Sequence, residues 1–382
     1  MKSVNYTHSR HFANPAVDTS AHIEFSGILS REDCESALAE ISQWDGYAAT
    51  ELVSLTDIAS AADVGGVLYK DESTRFGLGS FKALGGSYAV FQLAQAHQNA
   101  HGDLTNYIVA TATDGNHGRS VAWGAKRLGI ECHIFIHAHV SQQRSDAMSE
   151  LGAVVHRIDG NYDDSLIACE KMAEQYGWQI VSDTSWEGYE SVPIQVMAGY
   201  SVMANEIVEQ LNGDIPSHLF IPAGCGGLAG GMLAYLWQVW QEKLPSIVIV
   251  ESELSDCVYQ SLAANKLQLI DIVDETVMAG LSCGEVSRIA WPMLQKGAAH
   301  VITIPDDGVV PMMRWLACPT DNSRRAIEGG ECSAASLIAL MASVSDENLR
   351  TAVGLDSEST VLVLGTEGAT DPVFYAAAMS DD

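Results

Sequence analysis

Three stretches of the chain carry residue types that can do chemistry, and the first contains a lysine. Lys82 lies in FGLGSFKALGGSYA (76–89), between Phe81 and a run of small residues. A lysine held among apolar neighbours loses solvation, which lowers the pKa of its amine and favours Schiff-base formation. The alternative is an ordinary surface lysine at the start of a helix.

The second stretch is rich in glycine. IPAGCGGLAGG, from residue 221, leaves a predicted strand and opens a predicted helix. Glycines let the backbone approach a ligand closely, and the N–H groups at a helix start form an anion site. The loop lacks the Lys-Ser/Thr ending of nucleoside triphosphate loops. It favours a single phosphate; the alternatives are a dinucleotide, with Glu251 as its acidic residue, and a packing turn.

The third stretch places a carboxylate in a turn. TATDGNHG (111–118) has Asp114 directly before Gly-Asn-His, and Asp183 lies in a similar polar segment, SDTSWEG. A charge in such a loop can face a ligand. The alternative for both aspartates is the N-cap of the helix that follows.

Predicted strands and helices alternate around these stretches. The first unit has strands at 106–113, 132–138, 154–158 and 179–183, with helices at 116–129, 142–153 and 162–177. After a break near Pro193, a second unit has helices at 199–211, 227–240 and 256–266, with strands at 218–224, 246–252, 301–306 and 360–368. This alternation predicts an α/β fold with open, mostly parallel sheets and helices on both faces.

The alternation also predicts where a ligand binds. In open parallel sheets, ligands lie at the carboxyl ends of the strands. The candidate segments at these ends are TDGNHG, SDTSWEG, PAGCGGLAGG and LGTEGATD. We expect a large domain formed by 1–85 and 195–382, with a small domain, 86–194, inserted in it.

Composition excludes several classes of partner. The net charge of −29 argues against nucleic acid and anionic membranes, because both bind basic surfaces. The eight cysteines form no Cys-x-x-Cys, which makes a zinc site unexpected. The N-terminal residues lack the apolar segment of a signal peptide, and no stretch approaches roughly 18 apolar residues. We therefore expect a cytoplasmic protein with no metal.

Three motifs in order carry a family resemblance. Gly-Ser-Phe-Lys (79–82), Gly-Asn-His (115–117) and Gly-Cys-Gly-Gly-Leu (224–228) resemble the signatures of the fold-type II pyridoxal-phosphate enzymes, which include serine and threonine dehydratases. The resemblance spans roughly residues 70 to 370. It implies a tryptophan-synthase-β-like fold, pyridoxal 5′-phosphate as cofactor, an amino-acid substrate and a homodimer.

The resemblance also implies roles for individual residues. Lys82 would be the Schiff-base lysine, Asn116 would bind the 3′-oxygen of the cofactor, and Thr366 would face its pyridine nitrogen. The backbone at the phosphate would be that of Gly224, Cys225, Gly226, Gly227 and Leu228. The implied substrate-binding residues are Thr113, Asp114, His117 and Asp183. A structural hydrogen bond is the alternative for His117.

Asp114 departs from the dehydratases, which carry serine there. A carboxylate facing a substrate carboxylate repels it, so the aspartate either is a second base opposite Lys82 or attracts a cationic substrate. TATDGNHGR, DTSWEGYE (183–190), MAGLSCGE (278–285) and GTEGATDP (365–372) resemble the 2,3-diaminopropionate ammonia-lyases. That resemblance implies α,β-elimination from both enantiomers to pyruvate and two ammonia, with Lys82 and Asp114 as the catalytic bases and Asp183 near the β-ammonium.

Three other functions remain open at this level. One is a serine, threonine or hydroxyaspartate dehydratase, against which Asp114 counts. The others are a β-replacement synthase and a catalytically silent pyridoxal-phosphate-binding protein. The resemblance also allows a bridge between Cys257 and Cys283, although free thiols are typical of a reducing compartment.

Overall fold

The computed structural model describes residues 5–21, 25–113, 115–320 and 324–380. Its strands are β1 (Arg10–Ala13), β2 (Leu52–Ser54), β3 (Gly66–Asp71), β4 (Ile108–Ala112), β5 (Glu131–His137), β6 (Val154–Ile158), β7 (Gln179–Ile180), β8 (His218–Pro222), β9 (Ser246–Ser252), β10 (Ala298–Ile304) and β11 (Thr360–Gly365). They form two separate sheets, one of seven strands and one of four.

Helices pack around both sheets. They are α1 (Arg31–Ile41), α2 (Thr56–Ala62), α3 (Lys82–His101), α4 (Asn116–Leu128), α5 (Gln142–Glu150), α6 (Tyr162–Tyr176), α7 (Ser191–Leu211), α8 (Gly227–Trp240), α9 (Cys257–Ala264), α10 (Trp291–Gly297), α11 (Val309–Ala317), α12 (Glu331–Ser345), α13 (Glu347–Val353) and α14 (Pro372–Met379). Within the described ranges, none of them combines the length and the apolar character that crossing a bilayer requires.

The larger sheet has the strand order β1-β10-β9-β8-β11-β3-β2. Its five central strands run parallel, while β1 and β2 pair antiparallel at the two edges. Val363 of β11 lies between Tyr69 of β3 and Phe220 of β8. The carboxyl ends of β3, β8 and β11 therefore meet at one edge, where ligands of such sheets bind.

Both faces of the larger sheet are buried. Along β9, Ile247 and Ile249 belong to one apolar cluster, and the alternating Val248 and Val250 belong to another. Helix α8 contributes to the first cluster and α12 to the second. A strand covered on both faces reads as a continuous apolar run, which is why SIVIVES predicts its strand so closely.

The smaller sheet has the order β6-β5-β4-β7, with every pair parallel. Strand β7 contains only Gln179–Ile180, and is shorter than the predicted 179–183. The N–H of Val181 still donates to the carbonyl of Ala110 at 2.8 Å, after which the chain leaves the sheet toward Asp183. The predicted fold class, α/β with two mostly parallel sheets, is confirmed.

Helix α7 begins before the predicted break. The break near Pro193 is wrong, because Pro193 lies in the first turn of Ser191–Leu211 and is buried there. A proline fits the first turn of a helix, since the N–H groups of that turn have no intrahelical acceptor.

The start of helix α3 contacts two other helices at backbone distance. A Cβ on Gly124 of α4 would lie 2.9 Å from Cα of Ser87, and one on Gly199 of α7 would lie 2.5 Å from the carbonyl oxygen of Leu84. Both distances are shorter than a carbon side chain tolerates, so these contacts require glycine. The first turns of α3, where Lys82 lies, are thereby held between α4 and α7.

A buried network of charges anchors the segment before α3. Arg75 contacts Glu206 of α7 at 2.7 Å and Glu72 at 2.7 Å, and Lys70 of β3 contacts Glu206 at 2.8 Å. All four side chains are buried. Buried charges are tolerated only when they are paired and hydrogen-bonded, so the network ties β3 and the chain after it to α7.

Candidate active site

Lys82 is the first residue of α3 and lies beside the end of β11. The N–H of Phe81 donates to the carbonyl of Thr366 at 3.0 Å, which joins the start of α3 to β11. Nζ of Lys82 lies 5.5 Å from the ring centre of Phe81 and 6.0 Å from that of Tyr200. The lysine therefore has the apolar surroundings that the sequence predicts.

Its pKa, however, moves in the direction opposite to the prediction. Nζ of Lys82 donates to the carboxylate of Asp183, which follows β7 of the smaller sheet. Burial lowers the pKa of Lys82, but the charge of Asp183 offsets this effect and raises that pKa well above its ordinary value. The expectation of a lowered pKa is wrong because it omitted a carboxylate from a distant part of the sequence.

Asp183 is the centre of a small polar cluster. Burial raises the pKa of Asp183, but the ammonium of Lys82, which donates to the carboxylate, lowers that pKa by more and keeps the carboxylate ionised. The N-cap alternative for Asp183 is wrong, since the following helix, α7, has Glu190 at its N-cap. Asp114, the other aspartate that the sequence analysis assigns to the site, lies outside the described residues.

His117 lies on α4, within reach of Asp183. Its Nε2 donates to the carbonyl of Val181 at 2.8 Å, and its Nδ1 lies 3.8 Å from Oδ2 of Asp183. A carbonyl only accepts, so the ring proton is on Nε2 and Nδ1 is unprotonated. Burial lowers the pKa of His117, which keeps the ring neutral. The hydrogen bond from His117 to Val181 is the structural contact that the sequence analysis offered as the alternative role of His117.

Thr113 shapes the loop that leads into α4. Its Oγ1 accepts the N–H groups of Gly115 at 3.1 Å and Gly118 at 3.2 Å. The side chain is buried. Thr113 therefore fixes the backbone from which Asn116 projects.

The glycine loop between β8 and α8 forms a backbone cradle. A Cβ on Gly224 would lie 2.9 Å from Sγ of Cys283, and Gly226 has φ +84°, in the left-handed region. The N–H groups of the first turn of α8 have no intrahelical acceptor. Because a Cβ on Gly227 would lie only 3.4 Å from the carbonyl oxygen of Asp183, this cradle lies next to the Lys82 cluster.

Thiols surround this cradle. A hydrogen bond from Cys283 lowers the pKa of Cys225 to about 7. The thiol of Cys257 donates to the carbonyl of Gly224 at 3.6 Å. All eight cysteines are free, so Cys257 and Cys283 are not bridged in this structure.

Thr366 directly follows β11 and is buried. Its Oγ1 has no hydrogen-bond partner among the described residues. Buried hydroxyls in native proteins are nearly always paired, so this one fits a site where a ligand supplies the partner. A pyridine nitrogen is one such group, and the orphaned hydroxyl, the lysine and the glycine cradle together fit a pyridoxal phosphate.

One residue of the site escaped the sequence interpretation. The side-chain amide of Asn116 donates to the carboxylate of Glu367, which is buried beside Thr366. The available signal was an acidic residue within a glycine-rich loop at a strand end, LGTEGATD. The same signal singled out Asp114.

Further charges surround this pair. Arg144 of α5 contacts Glu331 at 3.3 Å and Asp371 at 3.7 Å, and its Cδ would lie 3.4 Å from a Cβ on Gly115. Burial and then the charge of Glu367 raise the pKa of Glu331 to about 7. These contacts join helices of the smaller sheet to the end of the larger one.

Glu251 does not serve a dinucleotide. Its carboxylate accepts the N–H groups of Val258 and Tyr259, both at 2.7 Å, at the start of α9. Burial raises the pKa of Glu251 to about 8. The dinucleotide alternative for the glycine loop is wrong, because its acidic residue is occupied by a helix N-terminus.

Comparisons with known proteins agree with this geometry. Diaminopropionate ammonia-lyase of Escherichia coli (strain K12) is 37% identical to the chain over 369 residues, which is 92% of each protein. The E. coli enzyme in complex with an aminoacrylate–PLP azomethine reaction intermediate matches with a TM-score of 0.89 and 35% identity, over 98% of both chains. Its complex with D-serine matches with a TM-score of 0.90 and 35% identity, over the same 98%.

The family comparison covers most of the chain. Residues 43–367 match the family described as pyridoxal-phosphate dependent enzyme. The resemblance carried by the three motifs is confirmed, and the cofactor of this chain is pyridoxal 5′-phosphate. Site, fold and identity over nearly the whole length agree, so the chain belongs to the fold-type II pyridoxal-phosphate dependent enzymes and, within them, to the family of the diaminopropionate ammonia-lyases.

Proposed function

We propose that the chain is a lyase that eliminates ammonia from D- and L-2,3-diaminopropionate, releasing pyruvate and two ammonia. The observation that carries this proposal is the partly buried, ionised carboxylate of Asp183 beside Lys82. When Nζ of Lys82 is engaged by the cofactor, Asp183 is available to pair with another cation. The β-ammonium of diaminopropionate is such a cation, whereas the hydroxyl of serine or threonine carries no charge.

The chain holds its cofactor with groups from both sheets. Thr366 would face the pyridine nitrogen, Asn116 would face the 3′-oxygen, and Lys82 would supply the amine that bonds to the cofactor. The backbone of residues 224–228, at the start of α8, would hold the phosphate. The bound pyridoxal phosphate supplies an electron sink for the electrons released at the substrate Cα.

Two bases on opposite faces of the substrate remove the Cα proton. Nζ of Lys82 takes it from the L-enantiomer, and the carboxylate of Asp114 takes it from the D-enantiomer. Asp114 follows β4, between Thr113 and Gly115, so its loop comes from the smaller sheet and Lys82 from the larger. The relative from E. coli was solved with D-serine, which supports a site that admits a D-amino acid.

The polar cluster receives the rest of the substrate. Asp183 pairs with the β-ammonium, and the neutral His117 lines the same end of the site. Thr113 keeps the loop of Asp114 in place through its two N–H contacts. With a hydroxyl rather than a carboxylate at its nitrogen, the pyridine ring would be a weaker electron sink, which suits elimination better than transamination.

The domain boundaries are also a proposal: a large domain of 1–85 and 195–382 and a small domain of 86–194. Strands β4 to β7 all fall within 86–194, which supports this division. We further propose a cytoplasmic homodimer. The net charge of −29 supports the absence of nucleic-acid and anionic-membrane partners.

Product counting tests the function. The purified protein, loaded with pyridoxal phosphate, receives D- or L-2,3-diaminopropionate, and pyruvate and ammonia are quantified, with serine and threonine as controls. We expect two ammonia per pyruvate from both enantiomers. The Lys82→Ala variant should form neither pyruvate nor ammonia. Keto acid from serine or threonine alone would instead make the protein a dehydratase. Bound cofactor without turnover of any amino acid would make it a silent binding protein.

A further inference from the structure

The carboxylate of Glu367 connects the two sheets at the proposed cofactor site. Its Oε2 accepts a hydrogen bond from Nδ2 of Asn116, which begins α4. Its Oε1 accepts from the N–H of Cys332 at 3.1 Å, in the first turn of α12. Glu367 is buried, so both oxygens act where water does not compete with them.

Glu367 is itself held firmly. Its backbone N–H donates to Oγ of Ser333 at 2.7 Å, and its carbonyl accepts from that hydroxyl and from the N–H of Gly330. It also pairs with Ser80, two residues before Lys82, in an isolated β-bridge. The carboxylate is therefore a fixed point, while Asn116 belongs to the smaller sheet.

Both carboxylate oxygens of Glu367 are acceptors here, one for the amide nitrogen of Asn116 and one for the N–H of Cys332. The carboxylate therefore selects one of the two orientations of the Asn116 amide, the one that points nitrogen toward Glu367. The second N–H of the same nitrogen remains for another acceptor. A neutral amide at position 367 could meet either end of Asn116 and would not select between the two orientations.

We propose that Glu367 is a positioning residue that sets the orientation of the Asn116 amide toward the cofactor. This inference rests on the cofactor-facing role given to Asn116 in the proposed function. Glu367 directly follows Thr366, so the same turn of chain that presents a hydroxyl to the ring nitrogen also orients the amide at the 3′-oxygen. The substrate plays no part in this contact.

A double-mutant cycle tests the proposal with pyridoxal phosphate itself as the probe. The dissociation constant of the cofactor is measured by absorbance titration of apoprotein for the natural chain, Glu367→Gln, Asn116→Ala and the double variant. We expect Glu367→Gln to weaken binding about tenfold, the size of a hydrogen bond to a charged group. Because Glu367 acts through Asn116, the double variant should bind within about twofold of Asn116→Ala.

Thr370→Val is the matched control. Oγ1 of Thr370 also donates to Oε2, at 3.4 Å, and the substitution leaves the contact with Asn116 intact. We expect its cofactor affinity and absorbance maximum to equal those of the natural chain. Glu367→Asp, which keeps an acceptor but shortens its reach, replaces Glu367→Gln in the cycle if that variant does not fold.

The cycle separates this inference from the proposed function. Losses that add in the double variant, or an unchanged affinity in Glu367→Gln, would overturn the positioning role even if diaminopropionate is turned over. Conversely, a chain that does not act on diaminopropionate can still show the coupling between Glu367 and Asn116. The cofactor is common to every enzyme of this family, so either result is informative.

Discussion

Lys82 and Asp183 form an ion pair whose members come from different sheets. Lys82 begins the helix that follows β3, and Asp183 follows β7. The carboxylate raises the pKa of the lysine well above its ordinary value. In the apoprotein the amine is therefore stored as a cation, and it must lose a proton before it can bond to the carbonyl of the cofactor.

Asp183→Asn should ease that proton loss. The substitution removes the charge that raises the pKa of Lys82, and burial of the amine then lowers that pKa. Uptake of pyridoxal phosphate requires the neutral amine, so its rate should rise at a lower pH than in the natural chain. The rate of appearance of the cofactor absorbance across a pH series measures this shift.

Asp371→Asn is the control for that series. Asp371 contacts Arg144 at 3.7 Å and caps α14, and an asparagine keeps the cap. Its pH profile should coincide with that of the natural chain. Identical profiles for Asp183→Asn and Asp371→Asn would contradict the control of Lys82 by Asp183.

Thr366→Val should stabilise the apoprotein and weaken its binding of the cofactor. The buried hydroxyl has no partner among the described residues, and an unpaired buried hydroxyl costs about 1–3 kcal/mol. Valine removes that cost, so the free energy of unfolding of the apoprotein should rise by about 1 kcal/mol. Loss of the partner for the pyridine nitrogen should weaken cofactor binding about tenfold.

Thr303→Val separates the two effects. Oγ1 of Thr303 in β10 is likewise buried without a partner in the described part of the chain. Urea denaturation should show a similar gain in apoprotein stability, and cofactor titration should show no change. A Thr366→Val apoprotein that unfolds more easily and binds the cofactor normally would argue against the role of Thr366.

Asp114→Asn should distinguish the enantiomers. If Asp114 is the base for the D-substrate, its loss should lower kcat/KM for D-diaminopropionate about 10²–10⁴-fold, the typical contribution of a general base. The L-reaction, which uses Lys82, should change far less. Pyruvate formation from each pure enantiomer measures the ratio, and equal losses for both would remove the face-specific role.

Arg75→Met should destabilise the protein strongly. The substitution leaves the buried carboxylates of Glu72 and Glu206 without the guanidinium, a change that typically costs about 3–5 kcal/mol. Arg31→Met is the matched surface control, because Arg31 and its partner Glu35 are 59% and 58% exposed and such pairs contribute about 1 kcal/mol or less. Equal shifts in urea denaturation would show that the buried network is not needed for stability.

The sequence predicts several of the buried strands of this fold, although it misses the interior strand Gly66–Asp71. The strand Ser246–Ser252 matches its predicted range from end to end, because its centre, 247–250, is covered on both faces and forms an unbroken apolar run. The edge strands Arg10–Ala13 and Leu52–Ser54 were not predicted. They are short and only partly buried, so no apolar alternation marks them.

In the candidate site, too, the sequence identifies some residues and misses the contacts between others. Lys82, Asn116 and the glycine loop are signalled by their neighbours in sequence. The pKa of Lys82 and the contact between Asn116 and Glu367 depend on residues far away along the chain. A pattern of neighbouring residues cannot show contacts between distant parts of the chain. Only the folded structure shows that Asp183 keeps Lys82 charged and that Glu367 orients the amide of Asn116.

Gly124 and Gly199, which hold the start of α3 between two helices, bear on how this enzyme can change. Neither has a side chain, yet any larger residue at either position would push the helix that carries Lys82 out of place. A saturation mutagenesis screen should find both positions as intolerant as the lysine. The catalytic centre is thus constrained during evolution by positions that perform no chemistry, and new specificities are to be sought in the strand-end loops instead.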